Sequence, residues 1–182
     1  MKLQKKKKFK KVILIPARSG SKRLKNKNIL KIKNKTLISF TISQALKVKN
    51  IDYVIVSTDN RKYAKISSKC GAKIFYLRPK NISKDTSSDL QLFKFNEKWL
   101  NKNLKYYTDI YIHLRPTYPL RKISDINKMI NIMENNFERI DSVRSVINSN
   151  IKLEKYYEIG KDKLLRNKYS FKRNGKKTDF IG

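Results

Sequence analysis

"VILIPARSGSKRLKNKNI", residues 12–29, passes from a short apolar run straight into a loop of small and cationic residues. Val12 to Ile15 is too short for a helix and too apolar for a surface, so it reads as a buried strand. The loop that follows holds Gly20 between Ser19 and Ser21, with Arg18, Lys22, Arg23, Lys25 and Lys27 around it. Its spacing is neither G-x-x-x-x-G-K-[ST] nor G-x-G-x-x-G. Small residues let backbone N–H groups approach an anion, and serine hydroxyls add donors. Arg18 offers a planar fork for two phosphate oxygens, and Lys22 and Lys27 add mobile point charges. Two readings stand side by side: a cradle for a triphosphate, or a solvated loop in a chain that is basic throughout.

Working outward, β-branched runs alternate with helical patterns. Apolar positions at Leu37, Ile38, Thr41, Ile42, Ala45 and Leu46 recur with helical spacing. "YVIVS" (53–57) is a second strand, ending in the turn-like "TDN". A helix follows over about 62–70, stopped by Gly71. "AKIFYL" (72–77) is a third strand, 89–100 a helix, and "DIYIHL" (109–114) a fourth strand. Ser124 caps a helix running to about Met133, and "DSVRSVI" (141–147) is a fifth strand. Strands of this apolar kind, alternating with helices, imply an α/β fold with a mostly parallel sheet covered on both faces. In such folds ligands bind beyond the carboxyl ends of the strands. That rule selects the loops after Ile15, Val56 and Leu114. The pattern dissolves beyond residue 150. One domain over 1–182 is expected, with a basic N-terminal extension at 1–11 and an irregular arm and incomplete C-terminal part at 148–182.

The 182 residues carry 45 Lys plus Arg against 14 Asp plus Glu, a net charge of +31. Such a field attracts any polyanion, and nucleic acid is one candidate partner because phosphate contacts release counterions. Tyrosine-rich stretches such as "KYYTDIY" would stack bases. Against this, the lysines are spread along the chain and accompany abundant Asn and Ile, as in a compositionally biased sequence. Cys70 is the only cysteine, which excludes an intrachain disulfide and fits a reducing compartment. It reads as a structural thiol in the last turn of a helix. The apolar run after "MKLQKKKKFKK" is too short for a signal peptide, and no segment approaches a membrane span, so a cytoplasmic protein is expected.

Four motifs occur in order, each at a strand end or in the loop after it: "IPARSGSKRLKNKNI" (15–29), "VIVSTDN" (54–60), "LRPKNISKDTSSD" (77–89) and "LRPTYPLR" (114–121). Together they resemble the acylneuraminate cytidylyltransferases, the CMP-sialic acid synthetase family. That family has I-P-A-R-x-G-S-K-x-x-x-x-K-N, V-S-T-D, L-R-P-x-x-x-x-x-D-T-x-S and L-Q-P-T-S-P-L-R at the corresponding places. The resemblance covers about residues 12–121. It implies a Rossmann-like three-layer nucleotidyltransferase fold and a reaction. The anomeric hydroxyl of a nonulosonic acid attacks the α-phosphate of CTP, CMP-sugar forms and pyrophosphate leaves, with Mg²⁺ sharing the charge. Activation of another acidic sugar such as 3-deoxy-octulosonate is the nearest alternative, and an inactive nucleotide-binding homologue is another. The resemblance also implies a homodimer in which 148–170 form an arm toward the partner's sugar site.

Carried over by position, the resemblance gives Arg18 and Lys27 catalytic roles through the triphosphate. It gives Ala17, Arg18, Ser21, Lys22, Lys27, Asn28, Arg78, Ser87 and Thr117 nucleotide contacts, and Arg115 and Asn174 sugar contacts; the metal ligands stay unknown. Other readings accompany several of these. Arg78 before Pro79 also reads as an ordinary residue at a strand end. Asp59 and Asp85 read either as turn formers bonding their own backbone or as direct participants. His113, the only histidine, reads as a packed, hydrogen-bonded side chain ahead of a proton shuttle. The chain also departs from the pattern. Arg115 stands where the family has Gln, Tyr118 where it has Ser, and Asp89 where a Ser is expected. "FKRNG" (171–175) resembles F-R-P-N-G, but the family's later acidic strand and helix have no counterpart, which implies a chain shortened at its C-terminus.

Overall fold

In the computed structural model, residues 8–21, 24–146, 157–159, 162 and 165–167 are described. They fall into two compact units, 1–128 and 129–182.

The first unit is built on β1 (Lys11–Pro16), whose residues Val12 to Ile15 are completely buried. β1 pairs in parallel with β4 (Tyr53–Ser57) on one side and with β5 (Ile110–His113) on the other. A two-stranded ribbon, β2 (Lys31–Ile32) and β3 (Lys35–Thr36), leads into α1 (Leu37–Ala45). Between β4 and β5 lie α2 (Arg61–Lys69) and α3 (Asp89–Leu104). The pleat sends alternate residues to opposite faces. Val12 and Leu14 join Ile55, and Leu92 and Leu100 of α3, in one buried cluster. Ile13 and Ile15 therefore face the other way, where α1 packs on β1 with Ile38, Thr41, Ile42 and Ala45 buried at helical spacing. Three layers result, with the sheet in the middle, as the sequence pattern implies.

Helix starts follow the capping residues. The Thr36 hydroxyl accepts from the Ser39 N–H (3.2 Å), and the Asn60 side chain accepts from Lys62 N–H (2.8 Å) and Tyr63 N–H (3.2 Å). Ser88 and Gln91 form a capping box at the start of α3. Gly71 ends α2 with φ +94°, a conformation that L side chains rarely adopt.

Three expected elements differ. The third strand, 72–77, keeps only one bridge to β4, at Lys73 opposite Ile55. The reason lies in its aromatics. Phe75 stacks on Trp99 of α3 (5.1 Å between centroids) and the next residue, Tyr76, meets Phe95 of the same helix (4.9 Å). Consecutive residues facing one helix break the two-residue alternation a ladder requires. Residues 141–146 form no strand; Val146 is exposed, so this run has no buried face to hold it in a ladder. Ser124 lies inside the first turn of α4 (Ile123–Asn135) and does not cap it.

The second unit contains the rest of α4 and an antiparallel pair, β6 (Tyr157–Ile159) with β7 (Leu165–Asn167). Beyond residue 150, where the sequence shows no pattern, a hairpin is therefore present.

Candidate active site

Because β4, β1 and β5 are parallel, the loops after all three emerge at one end of the sheet, with the β1 loop central. Ala17, fully buried, donates its N–H to the Ser57 carbonyl (2.9 Å), which ties the β1 loop to the end of β4. The next residues are pinned from two sides. The Asp59 carboxylate accepts from Ser19 N–H (2.7 Å) and from the Ser19 hydroxyl (3.1 Å). The buried Asn28, in a short 3-10 turn at Lys27–Ile29, donates its amide to the Arg18 carbonyl (3.0 Å). Asn26, at φ 55°, starts that turn and accepts a bond from the Tyr63 hydroxyl of α2 (3.2 Å). The backbone around Arg18 is thus fixed, while its side chain is half-buried. Arg18 donates to the Gly20 carbonyl (2.9 Å) and forms an ion pair with Asp85.

Arg78 is only 7% exposed, which overturns its reading as an ordinary surface residue. Its Nε donates to the Ser57 hydroxyl (3.1 Å) and its Nη2 to the Ser57 carbonyl (2.5 Å). Burial pushes the guanidinium's pKa down; Asp59 pushes it back up and Arg18 opposes that. Arg18, Asp59 and Arg78, from three separate motifs, therefore share one electrostatic neighbourhood. Asp59 is corrected as well: it does not cap its own turn but bonds the neighbouring loop. Asp85 likewise reaches across to Arg18.

Other sequence-predicted residues are placed as follows. Ser21 and Lys27 are half-buried on the β1 loop. Ser87 accepts from Lys84 N–H (3.0 Å) in the turn that presents Asp85. Arg115 and Thr117 are exposed on the loop after β5. Lys22 and Asn174 lie outside the described residues, as do most of the arm at 148–170. His113 is half-buried with its ring edge on Phe93 (5.2 Å between centroids), and its Nε2 has no hydrogen-bond partner. It is packed as expected, but that nitrogen is not hydrogen-bonded. Burial holds its pKa below 6.5, Asp89 raises it, and Arg115 and Arg121 lower it further.

Sequence reasoning missed two contacts. One is the Asp59–Ser19 clamp. The other is an ion pair between Arg115 and Asp89, the first residue of α3. The signal for the second was present, since both residues depart from the family pattern in two distant motifs.

A three-layer parallel sheet with an arginine-bearing, backbone-pinned loop at the end of its central strand defines an α/β protein of the Rossmann-like kind. More particularly, the sequence profile of the family described as "Cytidylyltransferase" matches residues 12–176, and the chain belongs to that family. It is 36% identical over 141 residues to an N-acylneuraminate cytidylyltransferase of Escherichia coli O18:K1:H7, covering 76% of this chain and 32% of that one. It is 35% identical over 124 residues to a CMP-N,N'-diacetyllegionaminic acid synthase of Legionella pneumophila, covering 65% and 51%. Among solved structures it resembles a CMP:2-keto-3-deoxy-manno-octonic acid synthetase complexed with CTP. That match has a TM-score of 0.57 and 29% identity, over 70% of this chain and 48% of the other. The chain thus spans about a third to a half of the length of these curated relatives.

Proposed function

We propose that this chain transfers CMP from CTP to a nonulosonic, sialic-type acid and releases pyrophosphate. The observation that supports this most is the convergence of Arg18, Asp59 and Arg78 at the end of the sheet, each from a motif shared in order with that family. The oxygen of the acceptor's anomeric hydroxyl attacks the α-phosphorus, and its proton passes to solvent water. A new P–O bond forms, the bond to the β-phosphate oxygen breaks, and pyrophosphate leaves with the electron pair. Arg18 and Lys27, with Lys22, neutralise the triphosphate, and this stabilisation grows as charge moves to the leaving group. Ser21, Asn28, Arg78, Ser87 and Thr117 hold the nucleotide, and Arg115 and Asn174 the sugar; Ala17, fully buried with its N–H on Ser57, sets the loop instead of touching the ligand. No covalent intermediate is required, so positioning supplies much of the rate.

Magnesium is the cofactor the family resemblance implies. Among the described residues no three His, Cys, Asp or Glu side chains group together to hold a metal. Asp59 is engaged by Ser19, and Asp85 by Arg18. These residues alone do not fit a metal cage. Among the described residues no helix is long and apolar enough to cross a membrane. We read the protein as a cytoplasmic homodimer, where CTP is available, that feeds acidic sugars into carbohydrate biosynthesis.

The test is pyrophosphate release from CTP and Mg²⁺ with a panel of nonulosonic acids, wild type beside Arg18→Ala. Sugar-dependent release that the substitution abolishes is expected. Release from no sugar overturns the proposal for this chain.

A further inference from the structure

Two departures from the family pattern, in motifs 26 residues apart by the numbering of the contact, meet in space: Arg115 forms an ion pair with Asp89. The pair is open to solvent, with the two side chains 61% and 41% exposed, so a ligand can reach it. Its setting is built. The Nη2 of Arg121 donates to the Arg115 carbonyl, and Gln44 of α1 donates to the Pro119 carbonyl (2.7 Å), so the loop is held at both ends. Asp89 is fixed at the start of α3 behind the Ser88–Gln91 capping box.

We infer that Asp89 is a resident counter-ion that lowers the affinity of Arg115 for anions in general and so leaves it to a ligand that brings further contacts, as the sugar acid does. This rests on the proposed cytidylyltransferase reading and extends it to a specificity-determining residue. An exposed ion pair is weak, so a ligand that replaces its hydrogen bond can displace it. A carboxylate, a phosphate or a sulfate can each engage the guanidinium fork, so the fork alone does not choose among them. Each of them meets the negative field of Asp89; an inorganic anion has only its charge to offset that, whereas a sugar acid adds the contacts of its hydroxyl groups. In a chain of net charge +31, an unguarded arginine here would hold sulfate or the pyrophosphate that the reaction itself releases. Arg18, paired with Asp85, carries the same arrangement on the nucleotide side.

The experiment measures binding of N-acetylneuraminate, its methyl ester, pyrophosphate and sulfate by calorimetry to the whole 182-residue chain. Wild type, Asp89→Asn, Arg115→Gln and the double variant are compared, with CTP present for the sugars. Asp89→Asn is expected to tighten pyrophosphate and sulfate by about fivefold, the upper range for an exposed pair. Arg115→Gln is expected to weaken the acid by about tenfold or more and erase its preference over the methyl ester. In the Arg115→Gln background, Asp89→Asn should change nothing. Anion affinities that Asp89→Asn leaves unaltered, or alters equally without Arg115, overturn the inference. If wild type binds no acid yet Asp89→Asn tightens inorganic anions only when Arg115 is present, the pair acts as inferred and the acceptor assignment is what fails. Since Arg115→Gln leaves the α3 start intact, it separates these effects from any loss of helix capping.

Discussion

Replacing Asp59 by Ala tests whether the β1 loop is held by the loop after β4. The carboxylate accepts two bonds from Ser19, at 2.7 and 3.1 Å, and offsets the buried Arg78 charge. A hydrogen bond to a charged acceptor contributes about 1.5–3 kcal/mol, and the longer, partly solvated one about 1. Asp59→Ala should therefore cost about 2–4 kcal/mol, the upper end reflecting the guanidinium left less compensated. Asp59→Asn keeps an acceptor for Ser19 N–H and should cost about 1 kcal/mol. Ser19→Ala removes only the hydroxyl bond, about 1 kcal/mol, and should cost almost nothing once Asp59 is Ala, because the shared bond is already gone. Urea unfolding followed by fluorescence reads wild type and all four variants, since Trp99 is the only tryptophan and stacks on Phe75 against the core. CTP affinity, measured beside it, should fall about tenfold in Asp59→Ala as Arg18 loses its fixed backbone. Additive costs for Ser19→Ala and Asp59→Ala, or an Asp59→Ala as stable as wild type, would refute the reasoning.

Arg78→Met should lower stability by about 2–4 kcal/mol in urea unfolding, because the buried guanidinium's bonds to Ser57 vanish; a loss under about 1 would show the charge to be a net burden. His113 has a folded pKa below its ordinary 6.5, so the unfolded chain binds more protons in mild acid. The His113 contribution to stability is therefore complete above about pH 7 and declines as pH falls through 6.5, and His113→Phe should flatten that part of the profile in pH-dependent urea melts. Gly71→Ala should cost about 1–2 kcal/mol in thermal unfolding, because φ is +94° and the new Cβ would lie 3.1 Å from a Leu46 methyl; an unchanged melting temperature would mean the turn relaxes freely.

The sheet was legible because its strands announce themselves: Val12–Ile15, "YVIVS" and "DIYIHL" are short, apolar and separated by helical periodicity, which leaves a parallel arrangement. What escaped was anything decided by long-range packing. "AKIFYL" has strand composition, yet Phe75 and Tyr76 are drawn to one face of α3, and no local rule foretells the position of Trp99 and Phe95. "DSVRSVI" has strand propensity, but propensity alone builds no ladder. The candidate site shows the same division. The cationic β1 loop stood out from its residue types. Asp59 was visible only as a turn residue, because its partner Ser19 is 40 positions away.

That division bears on how so basic a chain would recognise one anion under the proposed function. With 45 cationic side chains against 14 acidic ones, attraction is everywhere, and another lysine on the β1 loop would add affinity without choice. The information lies in the rarer carboxylates. Asp52 and Asp109 accept from the N–H groups of Lys11 and Lys10 and fix the entry of β1. Asp59 fixes its exit, through Ser19. Asp85 and Asp89 are set against Arg18 and Arg115. Each of these five carboxylates holds a cationic or backbone group in place, and Asp85 and Asp89 also subtract from the surrounding positive field beside Arg18 and Arg115. An Asp59 or Asp89 substitution should consequently change which anions bind, whereas removal of a single exposed lysine such as Lys94 should weaken all of them slightly and alike.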